Sequence, residues 1–281
     1  MNTSPSILRA KRLGIDTLQA PVIYMHANCH VCRSEGFNAL SRVQVTNGER
    51  SIIATLNIVF DGLVAPNEVG CSEAAWRLLE PLQDGQVLTL SHPRAINSLS
   101  YVRGKIYGNH LSQREMSEIV NDIAANRYTD VQLAAFVTAC VGDQLNVDEI
   151  TYLTKAMVDV GDRLSWGQPL VVDKHCVGGL PGNRTTPIVV AIVCAHGLTM
   201  PKTSSRAITS PAGTADTMET MAPVELSLAA MRSVVEKENG CIVWGGAVNL
   251  SPADDILIRV ERALDLDSEG QLVASVLSKK I

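Results

Sequence analysis

The stretch V-V-D-K-H-C-V-G-G-L-P-G-N, which ends at Asn183, constrains this chain more than any other. Leu170, Val171 and Val172 predict a strand that runs into Asp173, Lys174 and His175, and Gly178, Gly179 and Gly182 follow at once. Glycine lets backbone approach an anion with no Cβ in the way, and N–H groups at a helix start point towards it. Lys174 adds a point charge, and Cys176, Thr185 and Thr186 add short donors. The apolar run from Ile188 to Ala195 predicts a buried helix. Strand, turn and helix in this order point to an α/β domain. The turn is either a tight connection or an anion cradle. No Gly-Lys-Ser/Thr ends it, which excludes a Walker A loop.

A second stretch favours the cradle. Ser204 to Glu219 reads S-S-R-A-I-T-S-P-A-G-T-A-D-T-M-E and places five hydroxyls before Asp216, together with Arg206 and Gly213. A solvated loop accounts for the polarity, but not for an arginine among so many hydroxyls and small residues. Taken together, the two stretches resemble the thymidine phosphorylase family, the type II nucleoside phosphorylases. Lys174 to Asn183 matches that family's K-H-S-T-G-G-V-G-D loop, and Ser204 to Glu219 matches its S-G/S-R-G/A-L-x-x-T/A-G/A-G-T-x-D-x-L-E signature. The S-R-A-I-T-S form and the extra N-terminal region look most like the branch of AMP phosphorylase and the type 2 thymidine phosphorylases.

The resemblance implies phosphorolysis of an N-glycosidic bond, with inorganic phosphate as co-substrate and no cofactor. It puts Lys174, Cys176, Gly179, Thr185, Ser204, Ser205 and Thr214 around the phosphate, with Cys176 standing where the nucleoside enzymes have serine. It puts Arg206, Ala207, Ile208, Thr209 and Ser210 near the sugar or its 5′-phosphate, and His175 near base and sugar. Ser275 and Lys279 match pyrimidine-contacting positions, while Arg259 and Arg262 fall out of register with the family's arginine. Asp267 matches the proton donor of AMP phosphorylases, a role that needs a raised carboxyl pKa, with Asp265 a possible neighbouring charge. Asp267 equally suits a solvated position before a helix at Ser268. AMP is the leading substrate, since Arg206, Thr209 and Ser210 can bond a 5′-phosphate, and thymidine follows closely. Two other readings stay open: an anthranilate-type phosphoribosyltransferase, and a truncated, non-catalytic assembly protein.

Around this centre the chain predicts three domains. Residues 1–95 are β-rich, with strands at Val22–Met25, Arg42–Val45, Ile52–Phe60 and Val87–Leu90, a hairpin turn at Asn47-Gly48 and a helix capped by Ser72. His26, Cys29, His30 and Cys32 lie too close together for a standard zinc site, so no metal is assigned. Residues 96–165 form a helical bundle: Ser112 and Glu115 make a capping box, and Met116, Ile119, Val120 and Ile123 share one face. Further helices start near Asp130 and Asn146, and residues 251–281 return to the bundle. Residues 166–250 begin the α/β phosphate-binding domain, which in the family continues past Ile281, so an incomplete domain is expected. A net charge of −5 and seven cysteines without a regular framework point to a cytoplasmic chain with reduced thiols and small-molecule partners. Nucleic acid and membrane are not expected as partners, and the family suggests a homodimer or larger assembly.

Overall fold

Alternation of apolar and polar residues decides the first part of the chain. The computed structural model describes residues 6–18, 20–60, 62–175, 184–207, 212–266 and 268–281. Its first elements are β1 (Ile7–Arg12), β2 (Val22–His26), α1 (His30–Glu35), β3 (Arg42–Asn47), β4 (Arg50–Val59), β5 (Glu68–Cys71), α2 (Glu73–Leu78) and β6 (Val87–Ser91). Leu8 and Ala10, Ile23 and Met25, Val43 and Val45, Ala54 and Leu56, Val69 and Cys71, and Leu88 and Leu90 are all buried. A side-chain period of two collects these residues on one face. The strands close into a barrel in the order β1-β5-β2-β4-β3-β6, with that face inside. β1–β5 and β2–β4 are parallel pairs, and the other contacts are antiparallel. Asn47-Gly48 turns the β3–β4 hairpin, with Gly48 at φ 58°. Ser72 Oγ accepts the Ala75 N–H and caps α2. Cys29 and Cys32 belong to this core. Residues Met1–Ile96 and Ala125–Thr129 make up this compact unit, and the remaining residues make up a second.

Helical periodicity governs the start of the second unit: α3 (Leu99–Ile106), α4 (Gln113–Ala124), α5 (Asp130–Ala139) and α6 (Val147–Asp159). The Ser112–Glu115 capping box forms. Met116, Ile119, Val120 and Ile123 of α4 are buried, each worth about 1.5–3 kcal/mol of transfer free energy. Asn146 and Glu149 cap α6 reciprocally. Glu149 reaches further: its carboxylate also accepts from Lys105 Nζ at 2.6 Å and from the Leu111 N–H at 2.8 Å. Both members of the Lys105–Glu149 pair are buried.

The α/β part follows, with α7 (Thr185–Ala195), β7 (Met200–Ser204), α8 (Thr214–Glu219), α9 (Leu228–Glu238) and β8 (Gly240–Trp244). β7 and β8 pair in parallel, from Met200 opposite Gly240 to Ser204 opposite Trp244, and α8 and α9 lie on the crossover that such a pair requires. Met231 and Val235 of α9 pack on Cys241 and Val243. The chain then re-enters the helices as α10 (Pro252–Leu264) and α11 (Glu269–Ser278), which pack on α5 and α6 respectively. Exit and entry touch: the Asp162 N–H donates to Asn249 O at 3.0 Å, and Asn249 Nδ2 donates to Asp162 Oδ2 at 3.2 Å. A Cβ on Gly161 would lie 2.0 Å from Leu250 O, so this crossing needs glycine.

Two expectations need correction. Leu170–Val172 is not a strand; Val171 bridges Thr199 alone, and the Val172 N–H donates to Thr199 O at 2.9 Å. Extended propensity without a partner running alongside gives a contact, not a ladder. The run from Ile188 to Ala195 is helical but not buried, with Ile188 60% and Ile192 54% exposed. Two paired strands offer a narrow surface, and a helix that is apolar all round can hide only one stripe against it. Among the described residues no helix is long and apolar enough to cross a membrane.

Candidate phosphate and sugar site

Asp216 organises the second polar stretch. It is the third residue of α8, and its Oδ2 accepts the N–H groups of Gly213 and Ala207, both at 2.8 Å. Burial alone would raise this carboxyl; the two amides, with Arg206, hold it below the usual carboxylate range. Gly213 is required for packing: a Cβ there would sit 2.6 Å from Ser205 O. Thr214 begins α8 and is buried, and Ser204, at the end of β7, donates its hydroxyl to Ser205 O at 3.3 Å.

Arg206 is tied to three carboxylates of the chain. Its guanidinium donates to Glu219 at 2.6 and 2.9 Å, to Asp216 at 3.2 Å and to Glu225 at 3.1 Å, while lying 4.9 Å from the Trp244 ring centroid. Glu219 foremost, these carboxylates raise its pKa. A fork engaged by three carboxylates and an aromatic face braces the loop.

Next to the first stretch, Lys174 Nζ donates to Thr186 Oγ1 at 3.2 Å, in the first turn of α7; Thr186 is fully buried and its neighbour Thr185 is exposed. Asp173 sits between two ammonium groups. Lys202 Nζ lies 3.6 Å from its Oδ1, and Lys280 Nζ is in close contact with its Oδ2. Lys202 is 3% exposed and donates to Thr203 O at 2.6 Å. Burial first, and the Lys280 charge second, push Lys202 down to about 8 against the pull of Asp173. His175 keeps part of its surface in solvent, yet burial and then Lys202 and Lys280 push its imidazole down to about 4. It is neutral at pH 7. Asp173, Thr203, Ser278, Lys279 and Lys280 also line part of a cavity of about 190 Å³.

Ser275 and Lys279 meet on one acceptor. Ser275 Oγ donates to Asp254 Oδ2 at 2.9 Å, and Lys279 Nζ closes on the same oxygen. Against the opposing effect of burial, Asp254 and Asp255 raise the Lys279 pKa. Burial pushes Asp255 up to about 6, opposed by Lys279. Lys279 also approaches the phosphate-side residues: a Cβ on Gly245 would lie 3.6 Å from Lys279 Cε and 3.8 Å from Ser204 O. Arg259 instead pairs with Asp130 at 3.1 Å. Cys176, Gly179, Ile208, Thr209, Ser210 and Asp267 lie outside the described residues. The sequence singles out neither Lys202, Lys280 and Asp254 nor the organising role of Asp216. Only Asp216 carries a local signal, as an acidic residue three positions after the helix-capping Gly213.

Two domain models of a glycosyl transferase family match the chain, the helical bundle domain over residues 99–161 and the a/b domain over residues 168–269. The chain is 68% identical over 271 residues to a Hahella chejuensis protein named "Putative thymidine phosphorylase", covering 96% of this chain and 54% of that protein. A protein of the same name from Polaromonas sp. is 63% identical over 278 residues, covering 99% and 54%. One from Legionella pneumophila (strain Corby) is 65% identical over 274 residues, covering 98% and 53%. The chain thus spans about half the length of the curated relatives it matches. Among solved structures, anthranilate phosphoribosyltransferase (TrpD) from Thermus thermophilus aligns at 20% identity with a TM-score of 0.47, covering 63% of this chain and 54% of that one.

Proposed function

The chain belongs to the thymidine phosphorylase family, and from that footing we propose that it serves the phosphorolysis of a pyrimidine nucleoside of the thymidine type. A phosphate oxygen forms the new bond to the anomeric carbon as the bond to the base nitrogen breaks. The electron pair leaves with the base, which then takes up a proton, and the products are free base and (deoxy)ribose phosphate. The observation that carries this reading is the convergence of Ser204, from the phosphate side, and Lys279, from the base side, on Gly245.

Fixed donors around a small anion supply orientation and electrostatic stabilisation without covalent catalysis. Lys174 and the hydroxyls of Thr185, Ser204, Ser205 and Thr214 hold the phosphate, with Cys176 and Gly179 of the turn. Lys279, charged at neutral pH, faces the negative charge that develops on a departing pyrimidine, and Ser275 contacts the ring. Neutral His175 serves as a hydrogen-bonding partner of base or sugar. Asp267 is the proton donor this reading assigns to a departing purine, and a pyrimidine has less need of it.

The engagement of Arg206 supports a nucleoside over a nucleoside monophosphate, because both of its terminal nitrogens are held by carboxylates of the chain. The relatives' names support the same choice. Incubation with phosphate and, in turn, thymidine, uridine, AMP and CMP, with free base measured chromatographically, tests the proposal. Thymidine or uridine should release base only when phosphate is present. Base release from AMP faster than from thymidine would overturn the substrate assignment, and no phosphate-dependent release from any of them would overturn the reaction. Lys174→Ala should weaken phosphate binding roughly tenfold to a hundredfold, the worth of one charge-assisted hydrogen bond. Titration calorimetry with inorganic phosphate reads that loss.

A further inference from the structure

Two ammonium groups share one carboxylate directly behind the residues assigned to phosphate. Asp173 precedes Lys174, and Lys202 lies two residues before Ser204 on β7, on the same face of that strand. Lys280 follows Lys279 at the end of α11 and lies 3.4 Å from Thr203 Oγ1. Among the described residues one negative charge therefore serves two positive ones, and Lys202, almost wholly buried, has there only the Thr203 carbonyl as a further acceptor besides Asp173. A buried ammonium that shares its counter-ion is short of negative charge.

We propose that Lys202 is a proton-linked positioning residue for the anion: arrival of phosphate beside Ser204 and Lys174 supplies the missing negative charge, and Lys202 takes up a proton from solvent as the anion binds. The inference rests on the phosphate reading above. It adds that the anion is recognised through a group behind the contact layer, whose charge state follows occupancy.

The groups around Lys202 support the assignment to this residue. From the segment before α7 they are Asp173 and His175, with Lys174 turned to Thr186. From α11 they are Lys280 and Lys279, the latter held by Asp254 of α10 with Asp255 beside it. Opposite Lys202 on β8 stands uncharged Ile242, and α9 presents Met231 and Val235 while its Arg232, Glu236, Lys237 and Glu238 are exposed. Cys194 is the titratable side chain of α7. At pH 8.5 His175, at about 4, and Asp255, at about 6, lie far from titration, while Lys202, at about 8, is mostly uncharged.

Calorimetric titration of inorganic phosphate at pH 8.5, in two buffers of different ionisation enthalpy, reads the protons taken up. We expect roughly half a proton per bound phosphate. Lys202→Arg, charged at every accessible pH, should bind phosphate with no uptake. Lys202→Met should lose about tenfold or more in affinity. Uptake should persist in Cys176→Ser, which keeps Lys202 and removes the thiol that follows His175 in the sequence. Binding without uptake in the unaltered chain, or equal uptake in Lys202→Arg, overturns the inference and leaves the phosphate reading standing. Absence of phosphate binding in the unaltered chain removes both.

Discussion

Asp216 and Asp255 are both carboxylates near a helix start, and their surroundings drive them in opposite directions. Two amides and an arginine hold Asp216 ionised. Asp216→Ala orphans the N–H groups of Gly213 and Ala207, and should cost about 2–3 kcal/mol, visible as a lowered thermal midpoint. Asp255, by contrast, is half-buried beside buried Asp254 and is pushed up to about 6, by burial first. Because its folded pKa lies above its unfolded one, its stabilising contribution is complete below about pH 4 and is lost as pH rises through about 6. His175, held at about 4, works in the opposite direction over the same range, so the Asp255 contribution is read by difference: the denaturant midpoint of Asp255→Asn should gain on that of the unaltered chain as pH rises from 4 to 6. Single residues were legible where partners are close in sequence. Ser112 and Glu115, three apart, close the capping box that their spacing predicts. The partners of Arg206 were not legible, because Glu219 and Glu225 lie 13 and 19 residues further on and meet it only in the folded loop.

Elements were legible where a periodicity meets a cap. α4 and α6 have both, and their buried faces and capping boxes follow from spacing alone. β1 and β5 were missed. β1 carries Arg9 and Lys11 on its outward face, and β5 is four residues long with a glycine inside, so neither shows a long alternation. The segment before the phosphate turn failed as a strand for a different reason, since pairing is a property of two segments and its propensity describes one. The buried Lys105–Glu149 pair was equally invisible, because its members lie 44 residues apart. Glu149→Ala should cost about 3–5 kcal/mol by leaving an uncompensated buried ammonium, and Lys105→Met added to it should recover much of that loss. Chemical denaturation of the single and double variants reads the difference.

Across the whole molecule, hydrophobic patterning distinguished the β-rich, helical and α/β regions, because periods of two and 3.6 cannot be exchanged. It did not foresee that α7 leaves Ile188 and Ile192 in solvent, since patterning ranks residues for burial without saying whether a surface exists to receive them. The contact between Asp162 and Asn249, with Gly161 pressed against Leu250, bears on the chain as a path. The segment 163–248 leaves and returns at one point, so it is an insertion between helices α6 and α10. Joining 162 to 249 through a few glycine and serine residues would close a short loop where a long one stood, at a small entropic cost. Such a shortened chain should keep the circular dichroism of its remaining helices and the packing of α11 on α6, although it would have lost α7, α8 and α9 and every group proposed to hold phosphate. Loss of helical signal beyond the share of α7, α8 and α9 would mean that the bundle depends on its passenger.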